Sequence, residues 1–412
     1  MALKVLFDDA EYDGQLLRAL AYTYHGGADI GECLTTARRI SAGDDASWYR
    51  EWCATADRVV AAAEASRTTG HHVSAREAYL RASNYYRTAF IFLYRAPVDP
   101  RAVAALAKHR AAFRQAAALF TPPAEPVAIP YENTTLPGYF FAADARATPR
   151  ATLLVTGGYD GTAEESYFSV AGALRRGYNA LCFDGPGQGA VLWEQRLPMR
   201  PDWERVVTPV VDYALTRPEV DAQRLVLLGR SWGGYLAPRA ATAEHRLAAC
   251  IADPGLLSPA DGVRRQLPPD LLRQLEAGDL AAVNAALDHL PQTSMLRFTL
   301  RRGVLVHGVD SPAAYLQSAL AYTLRAQAGQ IRCPILICQA ENDLRASQSQ
   351  ELYDALTCPK RLLAFTDAEG AGEHCEAGAA ALFDQRVWDW LDETLAARPA
   401  SAGAPPKPSA TG

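Results

Sequence analysis

Arg224-Leu-Val-Leu-Leu-Gly-Arg-Ser-Trp-Gly-Gly-Tyr235 decides how the rest of the chain is read. Leu225 to Leu228 is an apolar run of strand length, and the residues from Gly234 onward (Tyr-Leu-Ala-Pro-Arg-Ala-Ala) are compatible with a helix. Between them stands Gly229-Arg-Ser-Trp-Gly233, a G-x-S-x-G pattern. Such a turn holds its serine in strained backbone with the hydroxyl clear of the sheet. Small residues two before and two after leave room for the turn. The bare pattern is weak, and most chance matches are ordinary turns. The strand before it and the helix after it make Ser231 the expected nucleophile, with the Trp232 N–H aimed at a developing oxyanion.

A serine hydroxyl is a poor nucleophile at neutral pH and needs a base oriented by a third group. With the strand–turn–helix context, the expected chain order is Ser, then Asp or Glu, then His. Downstream, Pro334-Ile-Leu-Ile-Cys-Gln-Ala-Glu-Asn-Asp343 reads as a strand running into carboxylates, with Asp343 the preferred orienting acid and Glu341 its competitor. Arg361-Leu-Leu-Ala-Phe-Thr-Asp-Ala-Glu-Gly-Ala-Gly-Glu-His374 is a strand followed by a loop with one histidine, so His374 is the expected general base. Upstream, Ala151–Thr156 runs into Gly157-Gly158-Tyr159-Asp160-Gly161, where glycines let backbone approach a substrate. The N–H of Tyr159 or of Gly158 is expected to complete an oxyanion hole with that of Trp232.

The surrounding texture is that of an α/β protein. Strands are expected at Val127–Tyr131, Gly138–Ala142, Ala151–Thr156, Asn179–Asp184, the elbow strand, Ala249–Ala252, Ile335–Gln339 and Arg361–Phe365. Helices are expected at Ala163–Leu174, Trp203–Thr216, Ser347–Leu356 and Ala377–Leu395, which predicts a mostly parallel sheet of eight strands covered on both faces. The first two strands read as an antiparallel pair turning at Asn133-Thr134-Thr135-Leu136-Pro137. Before Pro122-Pro123 there is almost no strand signal, and helical spacing recurs over Asp13–Tyr24, Ala46–Ala65, Ser74–Tyr94 and Arg101–Phe120. The expected organisation is an all-helical domain over 1–122 and an α/β domain over 123–398. A helical insertion at about 255–330 interrupts the sheet and is placed to serve as a lid, and a disordered tail is expected over 399–412.

Composition narrows the function. At 412 residues, 49% apolar and 21% charged, the chain is that of a globular protein with ample core. A net charge of −5 without a Lys/Arg-rich run excludes a nucleic-acid surface, and no 18-residue apolar span or signal core suggests a membrane. Eight scattered cysteines without a C-x-x-C point to a reduced, cytoplasmic protein. His71 and His72 lack a carboxylate or cysteine at ligand spacing, so no metal is expected. Phe183-Asp-Gly-Pro-Gly-Gln-Gly189 has its glycines at G-x-G-x-G spacing, without the helix a dinucleotide fingerprint opens into, so no cofactor is expected either.

These motifs together resemble a group of α/β-hydrolases with an N-terminal helical domain. The group comprises the 2,6-dihydroxypseudooxynicotine hydrolase-like enzymes and is related to fungal polyketide-shortening hydrolases and to the fermentation/respiration switch proteins. The resemblance rests on Gly157-Gly158 with Asp160-Gly-Thr-Ala-Glu-Glu165, on Phe183-Asp-Gly-Pro-Gly-Gln-Gly189, on Gly229-Arg-Ser-Trp-Gly-Gly234 and on Gly372-Glu-His-Cys375. Tyr79-Leu-Arg-Ala82 and Tyr85-Tyr-Arg87 extend it into the helical domain. It implies a triad of Ser231, Asp343 and His374 and hydrolysis of a C–C bond beside a ketone, or of an ester, in an aromatic or polyketide-like small molecule. Acyl transfer, cyclisation or cofactor-free bond formation on the same fold is the alternative, and a non-enzymatic regulatory partner the third reading. Tyr159, Asp160, Glu165, Tyr86 and Trp232 are expected to face the substrate, and a homodimer is left open.

Overall fold

The computed structural model describes residues 3–397, so the tail expected at 399–412 lies outside the described residues. Eight strands form one sheet: β1 Glu125–Tyr131, β2 Thr134–Phe141, β3 Arg150–Thr156, β4 Asn179–Phe183, β5 Val220–Arg230, β6 Leu247–Asp253, β7 Ile335–Ala340 and β8 Lys360–Phe365. Their order is β1-β2-β4-β3-β5-β6-β7-β8. β1 and β2 pair antiparallel, β2 joins β4 antiparallel, and every pairing from β4 to β8 is parallel. The turn between β1 and β2 is only Glu132 and Asn133, shorter than the sequence suggests, because Thr134 and Thr135 already pair with Tyr131 and Pro130. Leu225, Val226, Leu227 and Leu228 of β5 are fully buried, as a central strand covered on both faces requires.

From β3 the chain crosses to β4 on one side, and from β5 to β6 on the other. The carboxyl ends of β3 and β5 therefore meet at a switch point in the strand order, where open α/β sheets bind ligands. Thr156 pairs with Gly229, so the loop Gly157–Gly161 and the turn at Ser231 leave the sheet side by side.

Five helices precede the sheet: α1 Ala10–Ala21, α2 Ile30–Ala37, α3 Asp45–Thr68, α4 His72–Ala89 and α5 Pro100–Ala118. α2 has no counterpart in the sequence reading, its eight residues being too few to show a periodic face. α4 ends at Ala89, and Ile91–Leu93 form a tighter 3-10 turn. We propose the break at Pro122-Pro123 as a domain boundary on this change from helices to strands. Within the sheet region lie α6 Tyr167–Arg175, α7 Gly189–Trp193, α8 Glu204–Leu215 and α9 Gly233–Ala241. The five-residue α7 begins inside the glycine-rich loop, where the sequence suggested no helix. Its N-terminus is already filled by a side-chain carboxyl, since Ala190 N–H donates to Asp184 Oδ2 at 2.8 Å. The insertion carries α10 Pro259–Gln266, α11 Pro269–Ala277, α12 Leu280–Asp288, α13 Ser294–His307 and α14 Pro312–Ala319; α15 Ala346–Ala355 and α16 Ala380–Ala396 finish the fold. None of the helices among the described residues is long and apolar enough to cross a membrane.

The helical region, the loop after β3 and the insertion meet at one buried charge cluster. Arg18 of α1 donates to Asp160 Oδ1 at 2.7 Å and to Glu165 Oε1 and Oε2 at 3.0 and 2.8 Å. Arg87 of α4 lies 3.1 Å from Glu165 and 3.5 Å from Asp160, and Arg302 of α13 donates to Asp160 Oδ2. Tyr22 O–H adds a bond to Glu165 at 2.7 Å. Burial opposes the Asp160 charge, but Arg18, Arg302 and Arg87 outweigh it and hold the carboxyl well below its ordinary 3.8. Glu165 is lowered against its own burial by Arg18 and Arg87.

Because both folded-state values are depressed, the stability they contribute is complete above the ordinary values of 3.8 and 4.5 and is lost as pH falls through the depressed range. Asp160→Asn leaves three guanidiniums against one carboxylate and is expected to cost about 3 kcal/mol in urea unfolding at neutral pH. The gap from the wild type should narrow below about pH 4, where the carboxyl of the unfolded wild-type chain takes up its proton. A variant as stable as the wild type at neutral pH would show that this cluster does not hold the three pieces together.

Candidate active site

Ser231 sits between β5 and α9 with φ of 58°, in the left-handed region that side chains with a Cβ avoid. The turn closes because its neighbours are glycines. A Cβ on Gly229 would come within 2.0 Å of the Gly233 carbonyl oxygen, and one on Gly234 within 1.7 Å of that of Pro254. Ser231 N–H donates to the Asp253 carbonyl at 2.6 Å, tying the strained residue to the end of β6.

From the next parallel strands come the other two groups. His374 Nε2 lies 2.9 Å from Ser231 Oγ, and His374 Nδ1 is hydrogen-bonded to Asp343 Oδ2. The other Asp343 oxygen accepts from the Arg345 N–H at 2.8 Å. Burial opposes the Asp343 charge, yet His374 and Arg345 hold its carboxyl below the usual range. For His374, burial disfavours the imidazolium, but the Cys375 sulfur and the Asp343 carboxylate outweigh it and raise the pKa. Glu341, the competing acid, is engaged elsewhere: its Oε2 accepts the Asp367 N–H at 2.7 Å. The histidine loop is sewn to the acid loop by Asn342 N–H on the Gly372 carbonyl at 2.8 Å.

On the opposite side of Ser231 the loop after β3 approaches closely. A Cβ on Gly158 would stand 3.0 Å from Ser231 Oγ and 2.9 Å from Trp232 N, so only glycine fits. Gln188, from the glycine-rich loop, donates through Nε2 to the Gly157 carbonyl at 2.7 Å and to that of Gly158 at 3.3 Å. In a trans peptide the C=O and N–H point oppositely, so a Gly158 carbonyl held on Gln188 turns the Tyr159 N–H away from it. Gln188 was not singled out by the sequence reading, which used the loop carrying it to set aside a dinucleotide cofactor. Its own carbonyl is fixed by the Gly185 N–H at 3.0 Å.

Of the residues expected to face a substrate, the structure brings two to the elbow. The Tyr159 and Trp232 rings stack 4.3 Å apart, and Tyr322 of the insertion lies 5.5 Å from Trp232. Tyr159 O–H pairs with His307 Nε2 at 2.8 Å, and His307 Nδ1 with Ser318 Oγ at 2.8 Å. Burial lowers His307 to about 4, so it stays neutral. His307 was missed because it ends a helix with no motif around it; the signal was only that the insertion leaves at the carboxyl edge. Asp160 and Glu165 are committed to the arginine cluster rather than to open space. Tyr86 is not at the site: its O–H bonds Asp57 and its ring lies 5.3 Å from the Lys108 ammonium. Neighbouring positions on a helix diverge by about 100°, so with Arg87 directed at Asp160, Tyr86 is turned into the helical bundle. Among the described residues no group of three or more His, Cys, Asp or Glu is placed to hold a metal ion.

Parallel strands that deliver serine, acid and histidine in this chain order define an α/β-hydrolase. The family model described as alpha/beta hydrolase family matches residues 153–387, and the chain belongs to that family. It is 34% identical to hydrolase LUC6 of Fusarium sp, over 95% of this chain and 98% of that protein. It is 35% identical to the 20-hydroxy-prefusarin hydrolase FUS2 of Gibberella moniliformis, over 93% of this chain and 96% of that one. The crystal structure of the 2,6-dihydroxy-pseudo-oxynicotine hydrolase shares the fold, with a TM-score of 0.73 at 24% identity over 92% of this chain and 96% of its own.

Asp343→Asn should cost on the order of 10²–10⁴ in kcat, while Glu341→Gln costs little. A general base works neutral, so activity should fall as pH drops through the raised His374 value, and in Asp343→Asn that acidic limb should move toward the ordinary 6.5. Reversed effects at the two acids would reassign the orienting group. Gln188→Ala frees the Gly158 peptide and is expected to lower kcat by roughly 10- to 100-fold with KM little changed, approaching the loss of an oxyanion donor. Steady-state kinetics on a soluble ester reads both.

Proposed function

We propose that the protein is a serine-dependent hydrolase that opens a ketone, β-diketone or ester of an aromatic or polyketide-like small molecule through an acyl-enzyme. The observation carrying this is the continuous contact from Asp343 through His374 to Ser231 Oγ, with the Gly158 backbone pressed against the same oxygen. His374 takes the proton of Ser231 as its oxygen adds to the substrate carbonyl. The N–H groups of Trp232 and Tyr159 are offered to the oxyanion. When the adduct collapses, the electron pair of the C–C or C–O bond leaves on an enolate carbon or an oxygen, and His374 returns the proton to it. Water, deprotonated by His374, then cleaves the acyl-enzyme and restores Ser231.

The stacked Tyr159 and Trp232 with Tyr322 support a flat, unsaturated substrate, since such rings bury large apolar area with defined geometry. The name of the relative acting on 20-hydroxy-prefusarin agrees with a ligand of this kind. The insertion reaches the elbow through His307 and Tyr322, which supports its role as a lid. Phe92 and Tyr94 of the helical region reach Phe298 of the insertion and Trp193 beside the glycine-rich loop, which supports a cleft between the two helical pieces.

An activated aryl ester should acylate Ser231 and release its alcohol in a burst equal to the enzyme concentration. Ser231→Ala should lose the burst and about 10⁴-fold or more in turnover. Undiminished turnover in a folded Ser231→Ala protein would falsify the covalent route.

A further inference from the structure

Behind the nucleophile lies a second acidic centre that the triad does not use. Asp253 ends β6 and Glu376 follows the histidine loop; both are buried, with 0% and 2% of their surface exposed. Among the described residues, no donor hydrogen-bonds any of their four carboxyl oxygens. The guanidinium beside them is that of Arg230, the residue before Ser231, whose Nη2 is 3.1 Å from Asp253 Oδ2. The same nitrogen donates to the Cys375 carbonyl, and the guanidinium lies 4.6 Å from the Phe383 ring centre. Asp253 also serves the site through its backbone, accepting the Ser231 N–H at 2.6 Å, while Cys375 Sγ sits 3.5 Å from that carbonyl.

Two buried carboxylates cannot both stay ionised against a single guanidinium, because the uncompensated charge would be stranded away from water. Orphaned acceptors facing one another are what a carboxyl pair looks like when one member is the acid and donates to the other. We propose that Asp253 and Glu376 share one proton, and that this acid pair, with Arg230, clamps the His374 loop against the elbow. Asp253 and Glu376 are thus positioning residues for His374, and the inference rests on the proposed role of that histidine.

The backbone shows what the clamp restrains. Cys375 and Glu376 have φ of 53° and 50°, two successive left-handed residues without a glycine, directly after His374. Each such residue is strained and persists only where its surroundings hold it. Burial raises both carboxyls above their ordinary values, the Asp253 charge raises Glu376 further, and Arg230 opposes both shifts. The other ionisable groups facing the pair are His374 and Cys375 on the same loop, Asp343 after β7 and Cys338 on β7, with Tyr22 beyond Arg230. The folded state therefore holds a proton the unfolded chain has lost, and stability declines as pH rises through that range. Removing the proton leaves two anions facing Arg230, and the loop carrying His374 is released.

The test follows the rate of Ser231 modification by a fluorophosphonate across pH, in the full chain. In the wild type the rate should decline at alkaline pH. Glu376→Ala should slow labelling at neutral pH at least tenfold, whereas Glu376→Gln, whose amide donates to Asp253 without a titrating proton, should recover most of the rate and lose the alkaline decline. The wild-type minus variant infrared spectrum at neutral pH should show the carbonyl band of a protonated carboxylic acid for both Glu376→Gln and Asp253→Asn, the band of the buried Asp184 acid cancelling between them, and it decides the matter even if Glu376→Ala does not fold. A Glu376→Gln profile with the wild-type alkaline decline, or no such difference band, overturns the acid pair. Failure of the wild type to label at Ser231 overturns the nucleophile assignment instead, and the infrared band still reports on the pair.

Discussion

The left-handed backbone of Ser231 is the constraint on which the surrounding structure depends. A residue with a Cβ at φ of 58° costs about 1–2 kcal/mol, so the turn persists only because its surroundings hold it. They hold it by proximity: Gly229, Gly233 and Gly234 let the turn close against the strands, and the Asp253 carbonyl takes the Ser231 N–H. A Cβ on Gly233 would meet the Thr156 carbonyl oxygen at 2.6 Å, so the turn is packed on the end of β3 as tightly as on its own strand. The hydroxyl is aimed by backbone packing at a switch point rather than by its own rotamer alone.

The same logic extends outward through loops that are tied to one another. The acid loop is joined to the histidine loop through Asn342 and Gly372, the loop after β3 to the glycine-rich loop through Gln188, and the elbow to β6 through Asp253. Parallel strands supply the starting points of these loops. The bonds between loops set the distances of about 3 Å that general-base chemistry needs. A sheet alone would place the three groups near one another without bringing them into hydrogen bond.

Charge then couples this collar to the helical pieces. Asp160 immediately follows Tyr159, and its three arginine neighbours come from α1, α4 and α13. The loop after β3 is thereby anchored from the N-terminal helices and from the insertion at once. Such buried ion pairs add little net stability over apolar packing but are costly to break, so they specify one arrangement of the pieces. His307 adds a neutral bond to Tyr159 from the end of α13, so the insertion holds two successive residues of that short loop.

Local pattern alone determined much of this protein. The eight strands, their mostly parallel arrangement, and the positions of Ser231, Asp343 and His374 are all legible, because strand runs, glycine turns and chain order are properties of adjacent residues. The sequence left Glu341 as a rival to Asp343, and only the fold separates them, by giving the Glu341 carboxylate to the Asp367 N–H. Tertiary structure alone decided the contacts of Gln188, Arg230 and His307 and the burial of Asp253 beside Arg230, and it turned Tyr86 away from the site. Asp160 and Glu165 were legible as members of a motif, but not as anchors for arginines more than seventy residues away. Pairings over such separations leave no local periodicity, since they depend on which faces meet once the chain has folded.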